Sequence, residues 1–293
     1  MQIGWVHDTG LRRPDEEGAA PRREAITTDL RSLFRGYDAT LAVHGGDMVN
    51  SDQGKVPHIS APGRYDTFWD VARELGVEDR VWAVPGNHDV PIQRFFAAHP
   101  NAVWRRQFRF PEARTALFLL NTNGGGGATG SHGPTVASGQ TAVGVNHGYV
   151  PHVDLLWLEE QLRDLPDSWA KLLVCHHHLY WSDDESLATY SPEPAHRSRN
   201  FYDVVLNARR VHDLLSRHSR VVACQAHLFQ RGTEGNTAVD GVHYLHKSHY
   251  HMGGEFSTFG VIDARPDRTR VLTVDHESRR EAVIFDSAEV SGW

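Results

Sequence analysis

The chain has 293 residues, 40% of them hydrophobic, which is enough for a substantial core in one α/β domain spanning 1–293. Its formal charge of −7 and the lack of any basic stripe interleaved with aromatics argue against nucleic-acid binding, and no apolar run reaches the roughly 18 residues that span a bilayer. Two cysteines, Cys175 and Cys224, each close an apolar run and suit buried reduced thiols; with no basic-then-apolar leader pattern, the expectation is a cytoplasmic protein.

Residues 1–6 read as a short apolar strand that runs into His7-Asp8-Thr9-Gly10, and strand alternation predicts that His7 turns away from Asp8. Residues 12–22, charged and proline-bearing, read as a surface loop. Residues 23–34 have helical spacing, with Ile26, Leu30, Leu33 and Phe34 on one face. A second strand, 39–43, leads into His44-Gly45-Gly46-Asp47-Met48-Val49-Asn50, where glycines are followed by a carboxylate. Residues 51–63 form a glycine- and proline-punctuated loop expected to border a site, and 64–75 return to helix with Tyr65, Phe68, Trp69 and Val71 as its packing face. The strand over 81–84 ends in Pro85-Gly86-Asn87-His88-Asp89. That turn offers an amide oxygen as a neutral metal ligand and an imidazole beside it for proton transfer, both at the carboxyl edge of a sheet; the plainer reading is an Asx turn.

Residues 91–98 read as helix, 104–110 as an alternating strand with a solvated arginine face, and 115–120 as an apolar strand. The glycine-rich stretch 121–150 carries His132 and His147 and reads either as a mobile lid or as simple disorder; no Gly-Lys-Ser/Thr follows its glycines, which excludes a P-loop. A helix over 154–165 and a strand over 171–175 then deliver His176-His177-His178, of which not all three can face one metal. A second long loop, 181–200, precedes a helix over 201–216 and a strand over 220–224 that ends in Gln225-Ala226-His227. The strand predicted over 242–251 holds four histidines, and His249 and His251 share one face, either as ligands or as a packed pair. A hairpin over 259–263 and 269–274 turns at Pro266-Asp267.

GGDMVN and GNHD, in that order and about forty residues apart, followed by a histidine run after a later strand and then Gln225-Ala226-His227, resemble the calcineurin-like metallophosphoesterase superfamily, whose motifs run DxH, GD, GNH(D/E), a histidine and GHxH. The helical WLEEQL is similar to its purple-acid-phosphatase-like and cyclic-nucleotide-phosphodiesterase-like branch. The resemblance implies a four-layer αββα sandwich of two mixed β-sheets flanked by helices, with long loops near 122–150 and 182–200 over the site edge. It also implies two divalent ions (Mn, Fe or Zn) bridged by Asp47, with Asp8 and His227 completing one position and Asn87 and His176 the other. His88 then protonates or stabilises the leaving oxygen while an activated hydroxide attacks phosphorus.

Two positions depart from the pattern. Gly10 stands where DxH has its histidine, and Gln225 stands where GHxH has its first, a weak ligand that would favour a harder ion such as Mn²⁺ or Mg²⁺ or reduce the centre to one ion. His7, His178, His249 and His251 remain as auxiliary ligands or substrate contacts. Three functions stay open: a metal-dependent phosphoesterase acting on a small phosphorylated monoester or diester, a metalloenzyme of this fold with a mononuclear or asymmetric site and other chemistry, and a binding protein that has lost catalysis. Neither a nucleic-acid nor a membrane partner is expected, and oligomeric state is not legible.

Overall fold

The computed structural model describes residues 1–49, 63–89, 92–123, 148–179, 205, 207–226, 235–246 and 258–293. Among these residues the strands are β1 (Gln2–Val6), β2 (Leu41–His44), β3 (Val81–Ala83), β4 (Arg105–Phe110), β5 (Thr115–Leu120), β6 (Ala170–Cys175), β7 (Val221–Gln225), β8 (Gly235–Val239), β9 (Val242–His246), β10 (Thr258–Arg265), β11 (Arg268–Asp275) and β12 (Glu281–Asp286). The helices are α1 (Ala19–Arg31), α2 (Arg64–Glu74), α3 (Ile92–Ala98), α4 (His152–Arg163) and α5 (Ala208–Leu215).

The strands form two six-stranded mixed sheets, ordered β12-β11-β10-β1-β2-β3 and β4-β5-β6-β7-β9-β8. In the first, β1, β2 and β3 run parallel, while β10, β11 and β12 continue antiparallel from β1. In the second, β5, β6, β7 and β9 are parallel and antiparallel strands close both edges.

Alternation along each strand assigns its two faces. Ile3 and Trp5 of β1 meet Leu117, Leu119, Leu172, Val174 and Cys224 of the other sheet in a core between the sheets. Val6 turns the opposite way, into a core shared with Ile26 and Leu30 of α1, Phe68 and Val71 of α2 and Phe95 of α3. On the far side Leu173, Cys175 and Ala223 pack under Leu155, Leu158 and Leu162 of α4 and Val211 and Leu215 of α5. The result is the four-layer αββα sandwich. Full burial of each such Leu, Val or Ile stabilises by about 1.5–3 kcal/mol relative to exposure. Cys175 and Cys224 are free and buried.

Several expectations are corrected. The first helix begins at Ala19 rather than 23, so Arg22 lies within it, and after Arg31 it continues as a π-turn over Ser32–Gly36. The helix predicted over 201–216 starts only at Ala208, and Val205 instead bridges to Gly148. Two strands, β8 and β12, went unanticipated. The described part of the histidine-rich strand ends at His246; most of the two long loops also lies outside the described residues. Among the described residues no helix is long and apolar enough to cross a membrane.

Candidate metal centre

The carboxyl ends of β1, β2, β3 and β6 converge between the two sheets. Past Val6 the chain leaves the extended conformation, and Asp8 takes a left-handed φ of 54°; past His44, Asp47 does the same at 54°. A short polar side chain tolerates that region best among non-glycine residues, and such conformations cluster where surrounding structure enforces them. Backbone bonds supply the enforcement here: Asp8 N–H donates to Gly46 O at 2.8 Å, Gly10 N–H to Asp47 O at 3.3 Å and Leu11 N–H to Met48 O at 2.9 Å, lacing the two loops side by side.

The third loop is pulled in by Asp89, which is fully buried. One carboxylate oxygen accepts from Gly86 N–H at 2.8 Å and Met48 N–H at 3.2 Å, and the other from Val49 N–H at 3.2 Å. Burial pushes its carboxyl up to about 7, against the opposing effect of these amides. His88 N–H then donates to Asp47 Oδ1 at 2.8 Å. So close an approach requires glycine: a Cβ on Gly86 would collide with the Asp47 carboxylate, and one on Gly46, at φ 101°, would lie 2.7 Å from His176 Nδ1.

His176 reaches this cluster from the other sheet. Its Nδ1 sits 3.2 Å from Gly45 O, and its Nε2 lies 2.8 Å from Asn87 Oδ1 and 3.4 Å from Asp47 Oδ2. With the proton on Nδ1, held by the Gly45 carbonyl, Nε2 presents a lone pair, and three acceptor atoms face one another. Acceptors converge in this way around a cation, and a carbonyl on the remote nitrogen is the usual second partner of a metal-ligating histidine. Ligand atoms of Asp8, Asp47 and His176, all buried, lie within 4.8 Å of one another. Burial, followed by the charges of Asp8 and Asp89, pushes the Asp47 carboxyl well above the usual carboxylate range. A divalent ion would relieve that crowding, so the donor set fits one.

A model of the calcineurin-like phosphoesterase family matches residues 3–216, which carry all of these groups. The chain belongs to the calcineurin-like phosphoesterase family. Its fold is similar to that of a dimetal phosphatase from Danio rerio, at 13% identity and a TM-score of 0.63, covering 97% of this chain and 98% of that one. It is also similar to GAP50, described as the anchor in the inner membrane complex of Plasmodium, at 11% identity and a TM-score of 0.51, covering 98% and 87%. At such identities the likeness shows the fold alone. No curated protein matches the chain in sequence.

Members of this phosphoesterase family use divalent metals, and the candidate site here departs from the sequence expectations at several residues. His7 does not turn away from Asp8: β1 ends at Val6, alternation no longer applies, and His7 Nδ1 hydrogen-bonds the Asp8 carboxylate. The Gln225 side-chain oxygen, the atom expected to ligate, accepts from Leu179 N–H instead, and its buried Nε2 meets no acceptor among the described residues. His178 Nε2 donates to Ala226 O at 2.9 Å, tying the histidine run to the end of β7, and His177 Nδ1 pairs with Thr122 Oγ1 at 2.8 Å. His88 stands at the rim, with Nε2 3.9 Å from Asp47 Oδ2. His227, His249 and His251 lie outside the described residues.

Two residues at the site had no role assigned from sequence. Asp89 was visible only as the last letter of GNHD. Asn123 follows β5 and spans the gap between the sheets, its Nδ2 donating to Pro85 O at 2.8 Å. Its one sequence signal was a polar Asn-Thr-Asn run closing an apolar strand.

Proposed function

We propose that this phosphoesterase is a metal-dependent hydrolase of small phosphate monoesters or diesters, with Asp8, Asp47, Asn87 and His176 as ligands and His88 as the proton-transfer residue. The observation that supports this most is the convergence of Asn87 Oδ1, Asp47 Oδ2 and His176 Nε2 from three separate loops onto one point. Divalent ions held there supply Lewis acidity that polarises a phosphoryl oxygen and lowers the pKa of water. The chain's own contribution is positional. Asp89 fixes the Asp47 and Asn87 loops relative to each other, Gly45 O orients the His176 ring, and Asn123 anchors the Asn87 turn to the opposite sheet. His88, 20% exposed in its side chain, can meet substrate at the rim and pass a proton from Nε2 to the leaving oxygen.

A second reading, a mononuclear or asymmetric centre, draws on two observations. Gly10 supplies no side-chain ligand, and the Gln225 oxygen is engaged by Leu179. Metal content by elemental mass spectrometry on protein purified without chelator, paired with hydrolysis of p-nitrophenyl phosphate and its bis-ester, tests both. Near two equivalents with hydrolysis, both lost in Asp47→Ala, supports a dinuclear hydrolase, and about one equivalent supports the second reading. Protein that cannot be loaded with Mn²⁺, Fe²⁺ or Zn²⁺ sinks both and leaves a binding protein.

A further inference from the structure

Beneath the loops that carry Asp8 and Asp47, on the helix side of the first sheet, lies an imidazole that the candidate ligand set does not use. His44 closes β2 and is fully buried, and the Phe68 ring of α2 meets it edge-on, with centroids 5.1 Å apart and planes at 82°. Gly46 N–H donates to its Nδ1 at 3.2 Å. An amide nitrogen can only donate, so Nδ1 is the acceptor and the ring proton sits on Nε2. Nε2 lies 3.0 Å from Thr9 Oγ1, whose own proton goes to Met48 O at 2.9 Å. The bonds therefore run one way, from Gly46 N–H through the ring and the Thr9 hydroxyl to Met48 O.

The residues joined in this way are the immediate neighbours of two candidate ligands. Thr9 follows Asp8, while Gly46 precedes and Met48 follows Asp47. Both aspartates hold a left-handed φ of 54°, a conformation that persists where its surroundings enforce it. Gly10 supplies no side chain, so the hold of the first motif's aspartate on an ion depends on how the backbone places Asp8 against Asp47. An apolar ring fills the space under Phe68 with no polar atoms to satisfy; what the imidazole adds is a bond to each loop.

We infer that His44, acting through Thr9, is a positioning residue of the metal centre: it sets the separation of the Asp8 and Asp47 carboxylates, and with it the affinity and geometry with which an ion is held. The inference rests on the metal-dependent reading of the site for the ion alone and requires no phosphate chemistry.

Mn²⁺ titration, the absorption spectrum of the Co²⁺-loaded protein and the melting temperature of the metal-free protein test it on the parent, His44→Phe, His44→Asn, Thr9→Val and His212→Phe. His44→Phe keeps a ring and loses both bonds, and His44→Asn offers the Gly46 N–H an oxygen but does not reach Thr9. His212→Phe is the control. That imidazole is also buried, pairs through Nδ1 with the Tyr244 hydroxyl at 2.6 Å and through Nε2 with Asp240 at 3.1 Å, and lies near the amino end of β9, away from the carboxyl edge that carries the centre. His44→Phe and Thr9→Val are expected to weaken Mn²⁺ binding about 10- to 100-fold and to shift the Co²⁺ bands, the usual result of removing a group that orients a ligand. His44→Asn is expected to retain part of the affinity. His212→Phe is expected to lower the melting temperature and to leave Mn²⁺ affinity within about twofold of the parent. Melting temperatures that fall in His44→Phe and Thr9→Val while Mn²⁺ affinity and the Co²⁺ spectrum match the parent overturn the inference, as does equal weakening in His212→Phe. Thr9→Val, the milder change, carries the test where His44→Phe does not fold. Hydrolysis of p-nitrophenyl phosphate and its bis-ester is read separately on the parent. His44-dependent Mn²⁺ binding in a protein that hydrolyses neither ester retires the phosphoesterase reading and leaves the positioning role standing; hydrolysis with Mn²⁺ binding indifferent to His44 does the reverse. A parent that takes up no divalent ion overturns both.

Discussion

At the residue scale, His88 and Gly86 separate chemistry from assembly. His88 touches Asp47 through its backbone N–H and holds its ring at the rim, so His88→Asn keeps the bond that shapes the loop. Bound metal is expected to match the parent while kcat falls about 10²- to 10⁴-fold, measured by elemental analysis and steady-state hydrolysis on one preparation. Gly86→Ala does the opposite. Its methyl group enters the space of the Asp47 carboxylate, so the loop must retreat, and metal occupancy and activity are expected to fall together, activity by about a hundredfold. Retention of full metal content in Gly86→Ala is the outcome that counts against this convergence. Which residues were legible beforehand follows the same division. Asp8, Asp47, Asn87 and His176 could be read because each lies within four residues of the end of an apolar strand, at a carboxyl edge, in a stretch that resembles a family motif. His7 could not, because a left-handed turn at its neighbour cancels the alternation rule that was applied to it. Gln225 was legible as a substitution, but its partner, a backbone N–H at Leu179, is set by the path of another loop and leaves no mark in sequence.

At the element scale, the parallel strands next to the site were read almost to the residue because they are buried on both faces and appear as unbroken apolar runs. The missed elements have other signatures. Strand β8 has an alternating burial pattern, with Asn236 and Ala238 exposed, and depends on its hairpin partner β9 for definition. Its signal was the Asp240-Gly241 pair, whose φ values of 47° and 79° are those of a tight hairpin turn. Gly241 has open space around the position of a Cβ, so Gly241→Ala tests backbone conformation alone. About 1 kcal/mol of destabilisation is expected in urea unfolding, and no change would show that the turn can relax at no cost. Helix α1 was placed four residues too late because its start, after Gly18 in a left-handed conformation, has no side-chain cap and runs through a charged, proline-bearing stretch. That error consigned Arg22, which donates to the Gly10 carbonyl from within the helix, to a surface loop.

For the whole molecule, the candidate centre draws ligands from both sheets: Asp8, Asp47 and Asn87 from the first and His176 from the second. Ion binding is therefore expected to resist separation of the sheets and to raise the melting temperature; a hundredfold excess over Kd contributes about 2.7 kcal/mol. Far from the site, the last strand is held by Arg268 on Asp286, a bond that lowers the buried Asp286 carboxyl to about 2 from an ordinary 3.8. Because the folded value is depressed, this stabilisation is fully present above about pH 4 and is lost as the pH falls through about 2. Asp286→Asn is expected to melt lower than the parent at pH 7 and to converge with it near pH 2; a constant offset across that range would show that the carboxylate's charge is not what matters.

The strand order also has a consequence during synthesis. In the first sheet β1 lies between β2 and β10, and β10 is translated roughly 250 residues after β1. At ribosomal rates of about 5–20 residues per second, the β10 side of β1 stays unpaired for about 10–50 s, with Ile3 and Trp5 on a face whose cover comes largely from strands not yet made. A nascent chain of this fold therefore presents an open, apolar strand edge throughout the interval between synthesis of β1 and of β10, the kind of edge that templates non-native pairing.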